Sequence, residues 1–268
     1  MQRTAGRIGR ATFLGSLLLA LLGFGIGPAV AADAASILDH VEAAQALRVG
    51  TTGDYRPFSY RDPKSGAYQG IDIDMAAALG ASLGAKVQFV PTTWKAMMGD
   101  LAAGKFDIAM GGITVTLPRQ RQAFFSTPYF RDGKTPIARC ADKTRYETLA
   151  EIDQPAVRLI VNPGGTNEQY IRSHIHHAHI IVYPDNVTVF DQILAGKADV
   201  MITDGVETLL QQKLHPGLCA IHPDQPFNVA EKAYLMPRDV VWQEYVDQWL
   251  HQMQLTGAYK KIRDRWLP

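Results

Sequence analysis

Residues 101–109 read LAAGKFDIA, and residues 193–201 read ILAGKADVM. Each is the end of a helix, a glycine where the helix stops, and a short apolar strand that opens at an aspartate. Glycine suits that stop because it enters the left-handed conformation after a last helical turn without a Cβ penalty. Both strands run directly into a polar loop and a further helix, GGITVTLPR (111–119) after the first and TDGVE (203–207) after the second. A second correspondence lies upstream in the same order: LRVGTTGDY (47–55) against VRLIVNPGGTNE (157–168), each a strand entering a polar loop. Two matched joints in one order predict two related lobes.

Around these joints the pattern is that of an α/β protein. Ser36 to Gln45 reads as a short amphipathic helix and Leu47 to Gly50 as a buried strand. After the loop Thr51 to Ser59, residues Tyr68 to Ile73 read as strand. Asp74 to Leu83 reads as helix, because Met75, Leu79 and Leu83 recur at spacings of four. Lys86 to Val90 is strand, Trp94 to Ala103 helix, and Phe106 to Met110 strand again. Such alternation predicts mainly parallel sheets flanked by helices, a mixed sheet in each lobe. Lobe 1 is drawn at residues 32–136 and 228–268, and lobe 2 at 137–227. The tail, with Trp242, Tyr245, Trp249 and Leu250, has the length to return to lobe 1. Two chain crossings then leave a hinged cleft, and ligands bind beyond the carboxyl ends of such strands and between domains.

Composition narrows the function. The 27 Lys plus Arg against 26 Asp plus Glu exclude a nucleic-acid binder relying on a broad basic surface. The first residues carry Arg3, Arg7 and Arg10, then the apolar run Phe13 to Ile26, then Ala29-Val30-Ala31. That is the layout of a Sec-type secretory signal, residues 1–31, cut after Ala31. Its removal takes away three positive charges and no negative one, so the net charge moves from +1 to −2. No later segment has the apolar length of a membrane span. The expectation is therefore an exported, periplasmic protein that is off the membrane once cleaved. In an oxidising compartment the even pair Cys140 and Cys219 is expected to form a disulfide. A homo-oligomer is left open.

Four strand-end loops carry the polar residues. In Thr114-Val-Thr-Leu-Pro-Arg119 a helix begins, and a cation in a first turn opposes the helix dipole unless it serves an anion. Arg119 suits a carboxylate bidentately, or it is a solvated neighbour of Arg121 and Gln122. In NPGGTNE (162–168), Thr166 and Gln169 have capping-box spacing, and the glycines let backbone N–H groups approach an anion. In Thr203-Asp-Gly-Val-Glu207, Asp204 and Glu207 have the same spacing. Glu207 is then either a cap or a carboxylic acid whose pKa burial has raised for proton donation. Lys134 follows a turn and either neutralises an anion or faces solvent. Trp94, at a helix start, either walls the cleft or belongs to the core. The histidines of HIHHAH (174–179) lack metal-ligand spacing and read as solvated, so no metal is expected. No P-loop lysine, dinucleotide fingerprint, catalytic cysteine or serine elbow occurs.

These loops resemble family 3 periplasmic solute-binding proteins: LRVGTTGDYRPFSY, AYQGIDIDMA, GGITVTLPRQRQAFFSTPYF and LAGKADVMITD carry the likeness. The resemblance implies a two-lobed periplasmic-binding-protein fold of type II. It also implies that Arg119 and Thr114 hold an α-carboxylate, that Thr166 assists, and that Asp204 takes an ammonium. A narrower likeness is to the periplasmic cyclohexadienyl dehydratases, in FSTPYFRDGKTPI, IVNPGGTNE, PDNVTVF, LHPGLCAIHPDQPF and AEKAYLMPRD. Those enzymes are carbon–oxygen lyases of aromatic amino-acid biosynthesis that convert prephenate to phenylpyruvate and arogenate to phenylalanine. The resemblance implies Glu207 as general acid and Lys134 beside it. Arg119, Thr114, Trp94, Asn162, Thr166 and Asn167 would surround the substrate. Where amino-acid binders often carry an early acidic residue this chain has Thr52, which suits a keto acid without an ammonium. Loss of CO2 and water from prephenate makes an aromatic ring, so neither cofactor nor metal is required. The alternative expectation is an amino-acid-binding subunit of an ABC importer without catalytic activity.

Overall fold

The structure, a computed structural model, describes residues 35–267; the expected export signal at residues 1–31 lies outside the described residues. In chain order the elements of the first half are α1 (Ile37–Ala44), β1 (Ala46–Thr51), β2 (Asp54–Tyr55), β3 (Ser59–Arg61), β4 (Tyr68–Gln69), α2 (Ile71–Ser82), β5 (Lys86–Pro91), α3 (Met97–Ala102), β6 (Ile108–Ala109), α4 (Leu117–Gln120), β7 (Phe124–Phe125) and β8 (Phe130–Asp132). There follow β9 (Lys134–Arg139), α5 (Leu149–Ile152), β10 (Arg158–Val161), α6 (Thr166–His174), β11 (His179–Val182), α7 (Val189–Leu194), β12 (Val200–Asp204), α8 (Gly205–Leu214) and β13 (Leu218–Ala220). The chain closes with β14 (Ala230–Lys232), β15 (Leu235–Met236), α9 (Val240–Leu255) and α10 (Ala258–Trp266).

Two five-stranded sheets have matching orders, β5-β1-β6-β15-β7 and β11-β10-β12-β9-β13. In each, three neighbouring strands are parallel and the fourth is antiparallel. The chain leaves β1 to one side for β5 and returns to the other for β6; β10, β11 and β12 repeat this. The carboxyl ends of β1 and β6, and of β10 and β12, therefore flank the switch points where α/β sheets bind ligands. The two crossings run side by side, β8 pairing with β14 so that Lys232 lies opposite Phe130. Strand β9 begins at Lys134, so the last three residues before the boundary drawn at 136/137 already belong to the second sheet.

The duplicated joints have the same geometry. Gly104 and Gly196 follow α3 and α7 with φ of 66° and 68°. The tail returns to the first sheet: β15 pairs with β6, and the buried Trp242 indole donates to the Asp107 carbonyl at 3.0 Å. Asp239 caps α9 and accepts the Ile37 N–H at 2.6 Å, tying the first described helix to the last long one. Cys140 and Cys219 form the expected disulfide, between the end of β9 and β13.

Three local readings are corrected. Tyr68 to Ile73 is not one strand, because α2 starts at Ile71 and only Tyr68–Gln69 pairs in a small three-stranded sheet. Gly70 makes the break: at φ 133° its missing Cβ would sit 2.3 Å from the Phe58 carbonyl oxygen. The proposed capping box at Thr166 does not form, since Gly165 is the N-cap and Thr166 is already helical. Glu168 instead accepts the Gly164 N–H at 2.7 Å. The capping box at Asp204 and Glu207 does not form either, for a reason that belongs to the site.

Candidate active site

Helix α8 begins at Gly205, with Asp204 as N-cap, yet the Asp204 side chain makes no capping bond. The exposed donors of the first turn are taken by Asp132, whose carboxylate accepts Gly205 N–H and Val206 N–H, both at 3.1 Å. A residue 72 positions earlier thus does the capping, and Asp204 and Glu207 are released for other contacts.

Asp204 is almost wholly buried and holds two ammonium groups. Lys134 Nζ donates to its Oδ1 at 2.8 Å and Lys232 Nζ to its Oδ2 at 2.6 Å; the Tyr55 hydroxyl also donates to Oδ2. Although burial works against the charge, the two lysines hold the Asp204 carboxyl well below the usual carboxylate range. Lys134 is 2% exposed; burial pulls its pKa down, Asp204 opposing. It donates as well to Asn167 Oδ1 and, at 3.4 Å, to Thr166.

Glu207 is 0% exposed. Its Oε2 accepts from the Thr203 hydroxyl, while Oε1 has no partner. Burial pushes its carboxyl up to about 8, the Thr203 hydrogen bond and Lys134 opposing and Asp204 adding to the rise. Burial thus favours its neutral carboxylic acid over the carboxylate. Thr203 connects it to Asn167, whose amide donates to Thr203 Oγ1 at 3.0 Å and to Asn162 Oδ1 at 3.3 Å.

From the first sheet, Trp94 donates to Asp54 Oδ1 at 3.0 Å and packs edge-on to Tyr55. Arg119 is 8% exposed, and its guanidinium donates to the Thr114 carbonyl at 2.9 Å. Among the described residues it has no carboxylate partner, and burial pulls its pKa down to about 10. The Thr114 hydroxyl lies 3.4 Å from that of Thr166 across the cleft. Asn186, from the second half, donates to the Asp54 carbonyl at 3.0 Å. Gly164, with φ 83°, lets the Lys95 backbone approach, where a Cβ would come within 2.9 Å of Lys95 N.

The two halves meet around a cavity of about 20 Å³. That is room for about one water. Trp94, Thr114, Asn162, Thr166, Asn167 and Asp204 line it, together with Tyr55, Asn186 and Lys232. Lys134 lies one hydrogen bond behind this wall through Asn167, Arg119 through Thr114, and Glu207 two bonds behind through Thr203 and Asn167. Lys232 was missed from the sequence. Its signal was a strand alternation, with Ala230 and Lys232 buried on one face of β14 and Glu231 exposed on the other. The four histidines do not gather: His174 stacks on Tyr170, and Asp153 accepts N–H groups from His176, His177 and Ala178.

Two similar α/β lobes with polar strand ends facing one cleft define a hinged small-molecule-binding protein. The family model described as bacterial extracellular solute-binding proteins, family 3, matches residues 47–268, and the chain belongs to that family. A cyclohexadienyl dehydratase of Pseudomonas aeruginosa is 56% identical over 232 residues, covering 87% of this chain and 86% of that protein. The crystal structure of an ancestral cyclohexadienyl dehydratase is 54% identical, covering 87% and 97%, with a TM-score of 0.55. An ancestral amino acid-binding protein, a precursor of cyclohexadienyl dehydratase, superposes with a TM-score of 0.81 at 35% identity, covering 87% and 100%.

Proposed function

We propose that this protein is a periplasmic cyclohexadienyl dehydratase, a lyase acting on prephenate and arogenate, exported through the Sec-type signal at residues 1–31. The observation that carries the reading is Glu207, a buried carboxylic acid kept protonated to about pH 8 beside a cationic cleft. The identity of 56% to a cyclohexadienyl dehydratase supports it. Prephenate is a dianion with a ring hydroxyl. Once substrate entry has displaced the Asn167 and Thr203 side chains that cover it, Glu207 gives its proton to that hydroxyl, which leaves as water. The electron pair of the ring carbon–carboxylate bond moves into the ring as CO2 departs, and phenylpyruvate results. Each turnover consumes one proton, which Glu207 regains from solvent when the cleft opens.

Arg119 and Lys134 neutralise the substrate, and Asn162, Asn167, Thr114 and Thr166 supply neutral donors. Trp94 walls the ring. The lobes part to admit the substrate and close around it, excluding water during the chemistry. Positioning of this kind removes about 7–11 kcal/mol of barrier in favourable cases, and a general acid adds about 10²–10⁴-fold.

The test is turnover of purified mature protein with prephenate, followed by the absorbance of phenylpyruvate enolate in alkali, with Glu207→Gln assayed beside it. Expected is product from the wild type and a loss of about 10²–10⁴-fold in the variant, which still folds. Wild-type activity in Glu207→Gln removes the acid from the mechanism. No turnover together with calorimetric amino-acid binding assigns the chain to importer subunits instead.

A further inference from the structure

An α-amino acid offers its binding protein a donor, the ammonium, and the receiving site must present a carboxylate with a free oxygen. Asp204 is the cleft carboxylate at the end of β12, and neither of its oxygens is free: Lys134 holds Oδ1 and Lys232, with Tyr55, holds Oδ2. The two lysines differ in what else they do. Lys134 sits behind the cavity wall and also donates to Asn167 and Thr166. Lys232 lines the cavity itself, 1% exposed, with Thr114 Oγ1 at 2.9 Å and the Tyr55 ring centroid at 5.2 Å as its other neighbours. Two ammonium groups share the one carboxylate, so the Lys134–Asp204–Lys232 cluster carries more positive than negative charge, and Lys232 is its ammonium on the cavity surface.

We infer that Lys232 is the specificity-determining residue of the cleft: it masks Asp204 from an incoming α-ammonium and presents its own ammonium to the acceptor oxygens of an α-keto acid. The inference rests on the dehydratase reading above. The physical basis is the sign of the groups that meet. A keto oxygen or carboxylate accepts a charge-assisted hydrogen bond from Lys232. An α-ammonium placed there meets a like charge, and any approach to Asp204 meets two. Prephenate therefore outcompetes arogenate, and free α-amino acids are rejected. Lys232 reaches the site from β14, the strand that pairs with β8 in the ribbon between the sheets.

The experiment measures kcat/KM for prephenate and for arogenate, and calorimetric binding of L-phenylalanine, on wild type, Lys232→Gln, Lys232→Met and Lys232→Arg. The wild type is expected to favour prephenate and to show no L-phenylalanine binding. In Lys232→Gln and Lys232→Met the prephenate-to-arogenate ratio falls by about tenfold or more, mainly through KM, and L-phenylalanine binding appears. Lys232→Arg retains the wild-type ratio. A wild type that favours arogenate or binds L-phenylalanine tightly overturns the proposal without reference to any variant. Equal losses on both substrates in Lys232→Gln overturn it as well. A wild type inactive on both substrates is a different result, because it removes the dehydratase reading itself.

Discussion

Arg48 and Asp107 in the first sheet occupy the same place as Arg158 and Asp199 in the second. Asp107 accepts the Arg48 N–H at 2.8 Å and its Nε at 3.2 Å; Asp199 accepts the Arg158 N–H at 2.9 Å and its Nε at 3.0 Å. Each aspartate immediately precedes the third parallel strand of its sheet and pins an arginine near the start of the first. At the opposite ends of these strands the likeness stops. Strand β6 leads into Gly111 and Gly112, and the Gly112 N–H is held by the buried Asp72 at 2.6 Å. Strand β12 leads into Asp204 and Glu207. The first lobe thus contributes aromatic walls, the Arg119 guanidinium and the buried Asp54 carboxyl beside Trp94, while the second contributes Asp204 and Glu207. Strand openings must keep their pairs for the sheet to form; strand endings face the cleft and are free to diverge.

If the acid chemistry belongs to the second lobe alone, the largest effect follows from Glu207. Its carboxyl, at about 8 in the folded protein against 4.5 when solvated, binds a proton more tightly folded than unfolded. Its contribution to stability is therefore fully present below about pH 4.5 and lost as pH rises through about 8. Two consequences are measurable. Wild-type kcat/KM falls as pH rises through about 8, and in Glu207→Gln that limb is absent. The Tm of Glu207→Gln exceeds that of wild type by a margin that grows between pH 5 and pH 8. A constant margin across that range means that Glu207 is ionised in the fold.

Asp204→Asn comes next. Breaking a buried pair by removing one partner leaves uncompensated charge, here two lysines, at about 3–5 kcal/mol. An unfolding free energy from denaturant titration lowered by less than about 1 kcal/mol would mean that Lys134 and Lys232 are solvated, and the cleft open, in the resting protein. The smallest effects test the shared scaffold. Asp107→Asn and Asp199→Asn should each cost about 1–2 kcal/mol and leave the KM for prephenate unaltered. If one costs several times the other, the two joints are not equivalent.

How much was legible depended on the distance over which each feature is set. The glycine stops, the strand openings and the return of the tail follow from local pattern, and they agree with the structure. Tyr68 to Ile73 was misread because Ile71 and Ile73 suit a strand as well as a helix. What broke the strand was the contact of Gly70 with Phe58, which no local pattern contains. Thr166 and Glu207 both had capping spacing, and neither caps. In the case of Glu207, Asp132 arrives from the crossing ribbon to take the donors.

By itself the sequence determined the architecture, the duplicated lobes and the pair of cysteines that bond. These depend on periodicity, glycine conformation and residue type, all carried within a few neighbouring residues. The tertiary structure alone decided which charges meet. Two lysines, 98 residues apart in the chain, share one buried aspartate, and a glutamic acid three residues from that aspartate stays protonated. Whether a carboxyl group is charged depends on its burial and on the cations within hydrogen-bond reach, and both are properties of space rather than of sequence.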